Sequence, residues 1–295
     1  MAQIAGFGYL DQEYRNPEDA KIAVIPASYD QTSTWVKGAD EGPDAIIEAS
    51  GNMELYDIET DCEVYRRGII TDEPIERDLF PVDMIQMVRQ RVQKHVDRER
   101  FPVVVGGEHS VAIGSIQAHA ENHGSLCVLQ LDAHADLRDE YEGTKFNHAC
   151  VMARVKELCP IVQVGVRSLS SEEKKILDDK RVFFARDIHN RTEWIEDVVA
   201  KLSGQVYVTI DLDVFDPSIM PSTGTPEPGG LLWYPVLSLL KAVFANKEVV
   251  GCDVVELCPN PRNKAPDFLA AKLIYKLLSY KFTCRDVAAP ARRGG

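Results

Sequence analysis

The chain has 295 residues, of which 45% are hydrophobic and 27% are charged, and its formal net charge is −13. This composition is that of an ordinary soluble protein. The length would allow two average domains, but α/β folds often reach it as one, so we expect residues 1–295 to form a single domain. The acidic balance argues against nucleic acid as a partner, because phosphate binding requires a basic surface.

Hydropathy and cysteine usage predict where the protein works. No apolar run approaches the length of a membrane-spanning helix, and the N-terminus lacks the basic start and apolar segment of a signal peptide. The seven cysteines form no Cys-x-x-Cys pair, which indicates reduced thiols rather than disulfides or a zinc site. We therefore expect a cytoplasmic protein with no membrane partner.

The first part of the chain predicts strands that alternate with helices. Periodicity and turn residues predict strands over Lys21–Ser28 and Pro102–Val105, helices from Pro43 and over Pro81–Arg98, and an irregular hairpin over Asn52–Asp72. The second of these strands runs into Gly-Gly-Glu-His-Ser (106–110), which places His109 at a strand end where a helix begins. A histidine there is either a helix-start residue or a ligand.

The stretch Leu129–Asp136 favours the ligand interpretation. The apolar run Leu126–Leu131 has the length of a buried parallel strand, and Asp132, His134 and Asp136 follow it at alternate positions. Residues two apart in extended backbone project to the same side, so these side chains converge beyond the strand end. Open α/β sheets place their sites there, and three ionisable groups favour a shared cation over a polar loop that caps the next helix.

Two other histidines lie on the helix that follows His109. His119 and His123 are four residues apart, a spacing that can bind zinc. They fall at the far end of that helix, away from the predicted site, so we expect them to be surface residues.

The second half continues the alternation. It predicts strands over Ile161–Val166, Val182–Ala185, Gln205–Ile210 and Val249–Val255, and helices over Val151–Leu158, 172–177, 193–202, Leu231–Phe244 and Ala265–Leu278. This rhythm predicts parallel pairing with right-handed crossovers. Asp211 and Asp213 follow one of these strands, and Glu256 follows the last.

The metal-capable groups at these strand ends outnumber what one divalent ion needs. Six imidazoles and carboxylates suit two ions that share carboxylates, and an oxygen-rich set without thiolate favours Mn²⁺ over structural zinc. Two such ions turn water into a nucleophile near neutral pH, so the predicted chemistry is hydrolysis. The six groups are His109, Asp132, His134, Asp136, Asp211 and Asp213.

Five motifs span most of the chain in a fixed order. They are Gly-Gly-Glu-His-Ser (106–110), Asp-Ala-His-Ala-Asp (132–136), Asp-Leu-Asp-Val-Phe-Asp-Pro (211–217), Thr-Gly-Thr-Pro-Glu-Pro-Gly-Gly (223–230) and Val-Val-Glu (254–256). Together they resemble the ureohydrolase family of arginases and agmatinases. The resemblance implies a three-layer α/β/α fold with a mostly parallel sheet of about eight strands. It also implies two manganese ions per subunit and a homo-oligomer, a trimer or a hexamer.

The resemblance also implies a role for each site residue. One ion would be held by His109, Asp132, Asp136 and Asp211, and the other by Asp132, His134, Asp211 and Asp213. Glu256 matches the carboxylate that binds the guanidinium group rather than a metal. His148 lies where the family keeps a proton-shuttling histidine, although it could also be a helix-start residue. Asp136 would hold or relay the proton of the attacking hydroxide.

The implied substrate is a small cationic guanidine. Asp139, Glu140 and Glu142 suit a second positive charge, so we expect agmatine, hydrolysed to putrescine and urea in polyamine biosynthesis. Arg138 and Lys145 keep carboxylate-bearing guanidines such as guanidinobutyrate and arginine open. A hydrolase of N1-aminopropylagmatine would carry much the same sequence.

Other classes of function stay open on the sequence. A metal-dependent deacetylase of the same fold would use one zinc ion and would not need both His109 and Asp136. A metallophosphoesterase would need a Gly-Asn-His segment, which we do not find. A non-enzymatic regulator could keep the ligands without turnover, and metal content together with urea release distinguishes these classes.

Overall fold

A computed structural model describes residues 6–283 of the chain. Its strands are β1 Ile22–Ala27, β2 Ile69–Thr71, β3 Phe101–Gly106, β4 Leu126–Leu131, β5 Ile161–Val164, β6 Val182–Phe183, β7 Gln205–Asp211 and β8 Glu248–Val255. Its helices are α1 Gly42–Ser50, α2 Pro81–Val96, α3 Val111–Asn122, α4 Val151–Val155, α5 Ser171–Ile176, α6 Ala185–Ile188, α7 Trp194–Lys201, α8 Trp233–Asn246 and α9 Ala265–Thr283. Among these residues, no helix combines the length and apolarity needed to cross a bilayer.

The strands within residues 6–283 form one eight-stranded sheet in the order β2-β1-β3-β8-β7-β4-β5-β6. Every pair of neighbours is parallel. Parallel neighbours cannot be joined by tight hairpins, so the chain returns through crossovers that place helices on the faces of the sheet.

Side chains of the strands alternate between two hydrophobic layers. In β1, Ile22 and Val24 pack in the layer that α1, α8 and α9 cover, whereas Ile25 packs in the layer that α2 and α3 cover. In β3, Val104 faces the second layer and its neighbours face the first. A sheet buried on both faces explains why its strands are continuous apolar runs. The expected three-layer α/β/α fold is confirmed.

Strand order brings the predicted site together. The strands that end near His109, Asp132, Asp211 and Glu256 are β3, β4, β7 and β8, which are consecutive in the sheet as β3-β8-β7-β4. The chain passes from β3 to β4 through α3, and β8 and β7 later fill the gap between them. Such a change in strand order leaves a crevice at the carboxyl ends of the strands, where open α/β sheets bind ligands.

Three features differ from the sequence-based expectation. The stretch predicted as an irregular hairpin holds an antiparallel bridge between Asp57 and Cys62, but it also contributes β2, which pairs parallel to β1 at the sheet edge. β6 is two residues long and α6 begins at Ala185, within the predicted strand. The last helix extends beyond Leu278 to Thr283.

The six cysteines within residues 6–283 are free thiols, and Cys284 lies outside the described residues.

His119 is buried, and our expectation of a surface residue is wrong. Its Nδ1–H donates to the Ser115 carbonyl oxygen at 2.8 Å, and its ring lies 4.9 Å from the ring of Tyr207. A Cβ at Gly251 of β8 would stand 2.3 Å from His119 Nε2, so the imidazole occupies the space that a larger residue would fill. Burial lowers the pKa of His119 to about 4, and the ring is therefore a neutral core residue.

Candidate metal centre

His109 is surrounded by three carboxylates. Its Nδ1 lies 3.0 Å from Asp136 Oδ2, 3.2 Å from Asp132 Oδ2 and 3.5 Å from Asp211 Oδ2. The imidazole is 1% exposed, and within the described residues Nδ1 has no partner in hydrogen-bond geometry. A buried nitrogen that faces several carboxylate oxygens without hydrogen-bonding to them is the arrangement expected of a metal ligand.

A second group of ligands lies beside the first. His134 Nδ1 is 2.8 Å from Asp213 Oδ2 and 3.7 Å from Asp132 Oδ1. The ligand atoms of Asp132, His134 and Asp213 all lie within 4.8 Å of one another, as do those of His109, Asp132 and Asp211. Asp132 belongs to both groups, so one carboxylate can serve two neighbouring ions.

Backbone amides hold these carboxylates in a common orientation. Oδ1 of Asp132 accepts from the His134 N–H at 2.5 Å, and Oδ1 of Asp211 accepts from the Asp213 N–H at 2.8 Å. Oδ1 of Asp213 accepts from the Ala133 N–H at 3.0 Å. In each case Oδ2 lies within 3.5 Å of a histidine nitrogen, so the strand-end backbone turns this oxygen of each aspartate toward the centre. Asp132 also places Oδ1 3.7 Å from His134 Nδ1.

The electrostatics of the group favour cations. Burial and the charge of Asp132 raise the pKa of Asp136 to about 7, and burial and the charges of Asp213 and Asp132 raise the pKa of Asp211 well above its usual range. These shifts show that the carboxylates repel one another in a dry environment. Divalent ions relieve this repulsion, and six oxygen and nitrogen donors without thiolate suit two of them. The residues present therefore fit a binuclear centre.

A chain of hydrogen bonds orients the His109 ring from behind. His109 Nε2 lies 2.8 Å from the Thr209 hydroxyl, which donates to Asp253 at 2.6 Å. The Tyr207 hydroxyl donates to the other oxygen of Asp253, also at 2.8 Å. Because the threonine hydrogen goes to Asp253, the hydroxyl accepts from Nε2–H, and the lone pair of His109 stays on Nδ1. Metal-ligating histidines are commonly oriented in this way.

Glu256 lies at the end of β8, next to the first group. One carboxylate oxygen accepts the His109 backbone N–H at 2.6 Å, and the Glu256 N–H donates to the Gly107 carbonyl at 2.8 Å. Its φ is +68°, and that of Asp136 is +51°. Non-glycine residues adopt this left-handed region at an energetic cost, and such strained positions concentrate at functional sites.

A cavity of about 300 Å³ opens over the centre. Asp132 and Asp213 do not line it and are both buried. The predicted site residues that do line the cavity are His109, His134, Asp136, His148, Asp211 and Glu256.

His148 sits at the cavity wall, at the start of a short 3-10 helix. Its backbone N–H donates to the Thr32 hydroxyl at 3.1 Å, and its Nδ1 lies 3.3 Å from the same oxygen. Burial and the nearby His134 lower the pKa of His148 to about 4. The two interpretations of this residue are compatible, because it both starts the 3-10 helix His148–Cys150 and lines the cavity.

The loop after Asp136 is arranged differently from our expectation. Asp139 pairs with Arg154 at 2.6 Å and with Lys145 at 3.2 Å, and Glu140 and Glu142 are exposed. None of these three acids lines the cavity. The loop instead contributes Arg138 and Tyr141, with the guanidinium 4.7 Å from the ring centre. Periodicity could not show which side chains of an irregular loop turn inward.

Glu108 is a buried residue beside the site that sequence reasoning did not single out. It is fully buried, and it binds the loop that carries Thr32 and Ser33. Its signal was its place in Gly-Gly-Glu-His-Ser, directly before His109, where an acid between a glycine turn and a ligand needs partners.

Comparison with known proteins agrees with this geometry. A model of the arginase family matches residues 20–279. The chain belongs to the arginase family. It is 38% identical to the N(1)-aminopropylagmatine ureohydrolase of Synechocystis over 89% of both chains, and 30% identical to the agmatinase of Pyrococcus horikoshii over 88% of this chain and 92% of that one. The agmatine ureohydrolase of Thermoplasma volcanium superposes with a TM-score of 0.85 at 31% identity, covering 93% of this chain and 94% of that one.

Membership of the arginase family confirms the resemblance inferred from the five motifs. The protein is a ureohydrolase, a hydrolase that cleaves a guanidino C–N bond.

Proposed function

We propose that this ureohydrolase acts on a linear guanidine with a distal amino group, of the agmatine type, and releases urea and a primary amine. Agmatine would give putrescine, and N1-aminopropylagmatine would give the aminopropyl derivative of putrescine. Either reaction would be a step of polyamine biosynthesis. Relatives of 38% and 37% identity are named for N1-aminopropylagmatine, whereas the agmatinase of Pyrococcus horikoshii is 30% identical, so we favour the longer substrate.

The observation that carries the proposal is the cavity over two histidine–aspartate groups with Glu256 beside them. We assign one ion to His109, Asp132, Asp136 and Asp211, and the other to Asp132, His134, Asp211 and Asp213. Mn²⁺ is the proposed ion because the donors are mainly carboxylates. When bound, the two ions would act as Lewis acids that polarise water and stabilise the developing negative charge.

The protein's own groups then bind the substrate and move protons. Glu256 lines the cavity and would orient the planar guanidinium by charge-assisted hydrogen bonds. Asp136 lies 3.0 Å from His109 Nδ1 and lines the cavity, where it would accept a proton from the attacking water. The C–N bond breaks only when the departing nitrogen gains a proton, and Asp136 would pass on the proton it accepted from the water, either directly or through Nε2 of His148.

The wider assignments are part of the same proposal. We propose that residues 1–295 form a single catalytic domain, that the protein is a cytoplasmic homo-oligomer, a trimer or a hexamer, and that its partner is the small guanidine rather than nucleic acid or membrane. The family resemblance supports the oligomer, and the acidic composition supports a cationic substrate.

A carboxylate-bearing guanidine is the second candidate substrate. Arg138 lines the cavity, where its guanidinium could bind a distal carboxylate such as that of guanidinobutyrate or arginine. A one-zinc deacetylase is less well supported, because His109 and Asp136 both face the centre and supply ligands that a single ion would not need.

Urea release after Mn²⁺ loading tests the proposal. The panel comprises agmatine, N1-aminopropylagmatine, guanidinobutyrate and arginine at equal concentrations, and Arg138→Met is the matched variant. We expect kcat/KM to be highest for N1-aminopropylagmatine and next for agmatine, and to change little for either in the variant. If the protein prefers guanidinobutyrate or arginine and Arg138→Met abolishes that preference, the substrate is a carboxylate-bearing guanidine and the proposal is wrong.

A further inference from the structure

Glu108 collects hydrogen bonds from two directions. Its Oε2 accepts the backbone N–H groups of Thr32 at 2.5 Å and Ser33 at 3.1 Å. Its Oε1 accepts the hydroxyl groups of Thr32 and Ser110, both at 2.5 Å. The side chain is fully buried. Burial raises the pKa of Glu108, whereas these donors all favour the carboxylate form.

The loop and the strand end approach each other closely enough for these bonds to form. The Glu108 N–H donates to the Tyr29 carbonyl at 2.8 Å. A Cβ at Gly107 would stand 2.1 Å from that same carbonyl oxygen, so only glycine allows the contact. Glu108 therefore joins β3 to the start of the loop that also supplies Trp35 and Val36 to the cavity wall.

The direction in which the Thr32 hydroxyl donates determines which ring nitrogen of His148 carries the proton. A threonine hydroxyl has one hydrogen, and Thr32 uses it to donate a hydrogen bond to the Glu108 carboxylate at 2.5 Å. The oxygen is then an acceptor toward His148, for the backbone N–H at 3.1 Å and for Nδ1 at 3.3 Å. Nδ1 must carry a proton to donate to it. Nε2, which has no hydrogen-bond partner among residues 6–283, keeps its lone pair.

We propose that Glu108, acting through Thr32, is a positioning residue that holds neutral His148 with its proton on Nδ1 and its Nε2 available to the cavity. This inference rests on the proposed function for the part that His148 plays in turnover. It adds that the shuttle is positioned by a buried carboxylate just after β3, whose side-chain hydrogen bonds go to Thr32, Ser33 and Ser110 rather than to the His148 ring. Orientation of a catalytic histidine through a second group is a common requirement of general acid–base catalysis.

The matched pair Thr32→Val and Thr32→Ser tests the proposal. Valine keeps the shape but removes the hydroxyl, whereas serine keeps the hydroxyl. We expect Thr32→Val to lower kcat on the order of tenfold, a fraction of what a general acid–base contributes. KM and manganese content should stay near the wild-type values, and Thr32→Ser should recover most of kcat. In a His148→Asn background, Thr32→Val should change kcat by less than about twofold, because coupled residues are not additive.

A spectroscopic readout tests the positioning without turnover. Histidine labelled with ¹⁵N in the protein loaded with diamagnetic Mg²⁺ reports which ring nitrogen carries the proton, and His148→Asn identifies the signal. We expect the Nδ1–H form in the wild type and in Thr32→Ser, and a shift toward Nε2–H in Thr32→Val. If Thr32→Val does not fold, Glu108→Gln serves in its place. This variant replaces an acceptor oxygen by an NH₂ donor and should produce the same shift toward Nε2–H.

Two results would overturn the proposal. The first is an Nε2–H tautomer of His148 in the wild type. The second is a loss of kcat in Thr32→Val that is equally large in the His148→Asn background, because Thr32 would then act on some other part of the site. If wild-type protein releases urea from no guanidine, the proposed function fails, whereas the tautomer measurement still decides the positioning.

Discussion

Replacing Thr209 by valine removes the hydroxyl that joins His109 to Asp253 and keeps the shape of the side chain. The His109 Nε2–H, 2.8 Å from that hydroxyl, then has no acceptor, and Asp253 loses the donor at 2.6 Å. Both residues are at most 1% exposed, so water cannot replace the lost partner without rearrangement. Leaving such a group unpaired costs about 1–3 kcal/mol.

We expect this cost to appear as weaker binding of the ion that His109 holds. A loss of about 1.4–2.8 kcal/mol corresponds to a 10–100-fold higher dissociation constant, the range seen when the partner of a metal-ligating histidine is removed. Equilibrium dialysis with elemental analysis measures the two binding steps, and Thr209→Ser is the control that keeps the hydroxyl. Wild-type affinity for both ions in Thr209→Val would refute the argument that this hydrogen-bond chain orients His109.

Three further predictions concern the substrate, the proton and the fold. Glu256→Gln should raise KM for the guanidine with both ions retained, and loss of metal in that variant would make Glu256 a ligand. His148→Asn should keep both ions and lower kcat about 10²-fold, as expected on loss of a general acid–base group that relays a proton, and an unchanged kcat would remove it from the mechanism. Burial alone would raise the pKa of Glu59, but hydrogen bonds from Lys276, Tyr280 and Lys241 lower it to about 2 from a usual 4.5. Because the pKa of Glu59 is lowered in the folded state, its carboxylate stabilises the fold above about pH 4.5, and this stabilisation is lost as the pH falls toward 2. Acid should therefore destabilise the wild type more than Lys276→Met in denaturant titrations. An equal pH dependence of the two proteins would contradict this.

The site was predictable because each of its elements has a strong local signal. Apolar runs of the length of β4 and β7, each leading into metal-capable side chains at alternate positions, indicate strand ends whose side chains converge. The order of the strands has no such signal. β3 and β4 follow one another in the chain, yet β8 and β7 lie between them, and only this arrangement brings Glu256 beside His109.

The errors have a common physical cause, which is that tertiary contacts override local patterns. His119 lies in the last turn of α3, in a polar-looking stretch, but is buried because Gly251 leaves room for its ring. β2 is only three residues long, too short for a period to appear, and its pairing with β1 defines it. Asp139 turns outward because Arg154 and Lys145 attract it, which leaves Arg138 at the cavity.

Metal content per chain in wild type and in Asp132→Asn tests the account most directly, because Asp132 is the carboxylate common to both groups of ligands. After loading with excess Mn²⁺ and removal of unbound metal, we expect about two ions per wild-type chain, as a six-donor site of this kind accommodates, and neither in the variant. A wild-type chain that binds no manganese, or a variant that keeps both ions, would contradict a binuclear centre shared through Asp132.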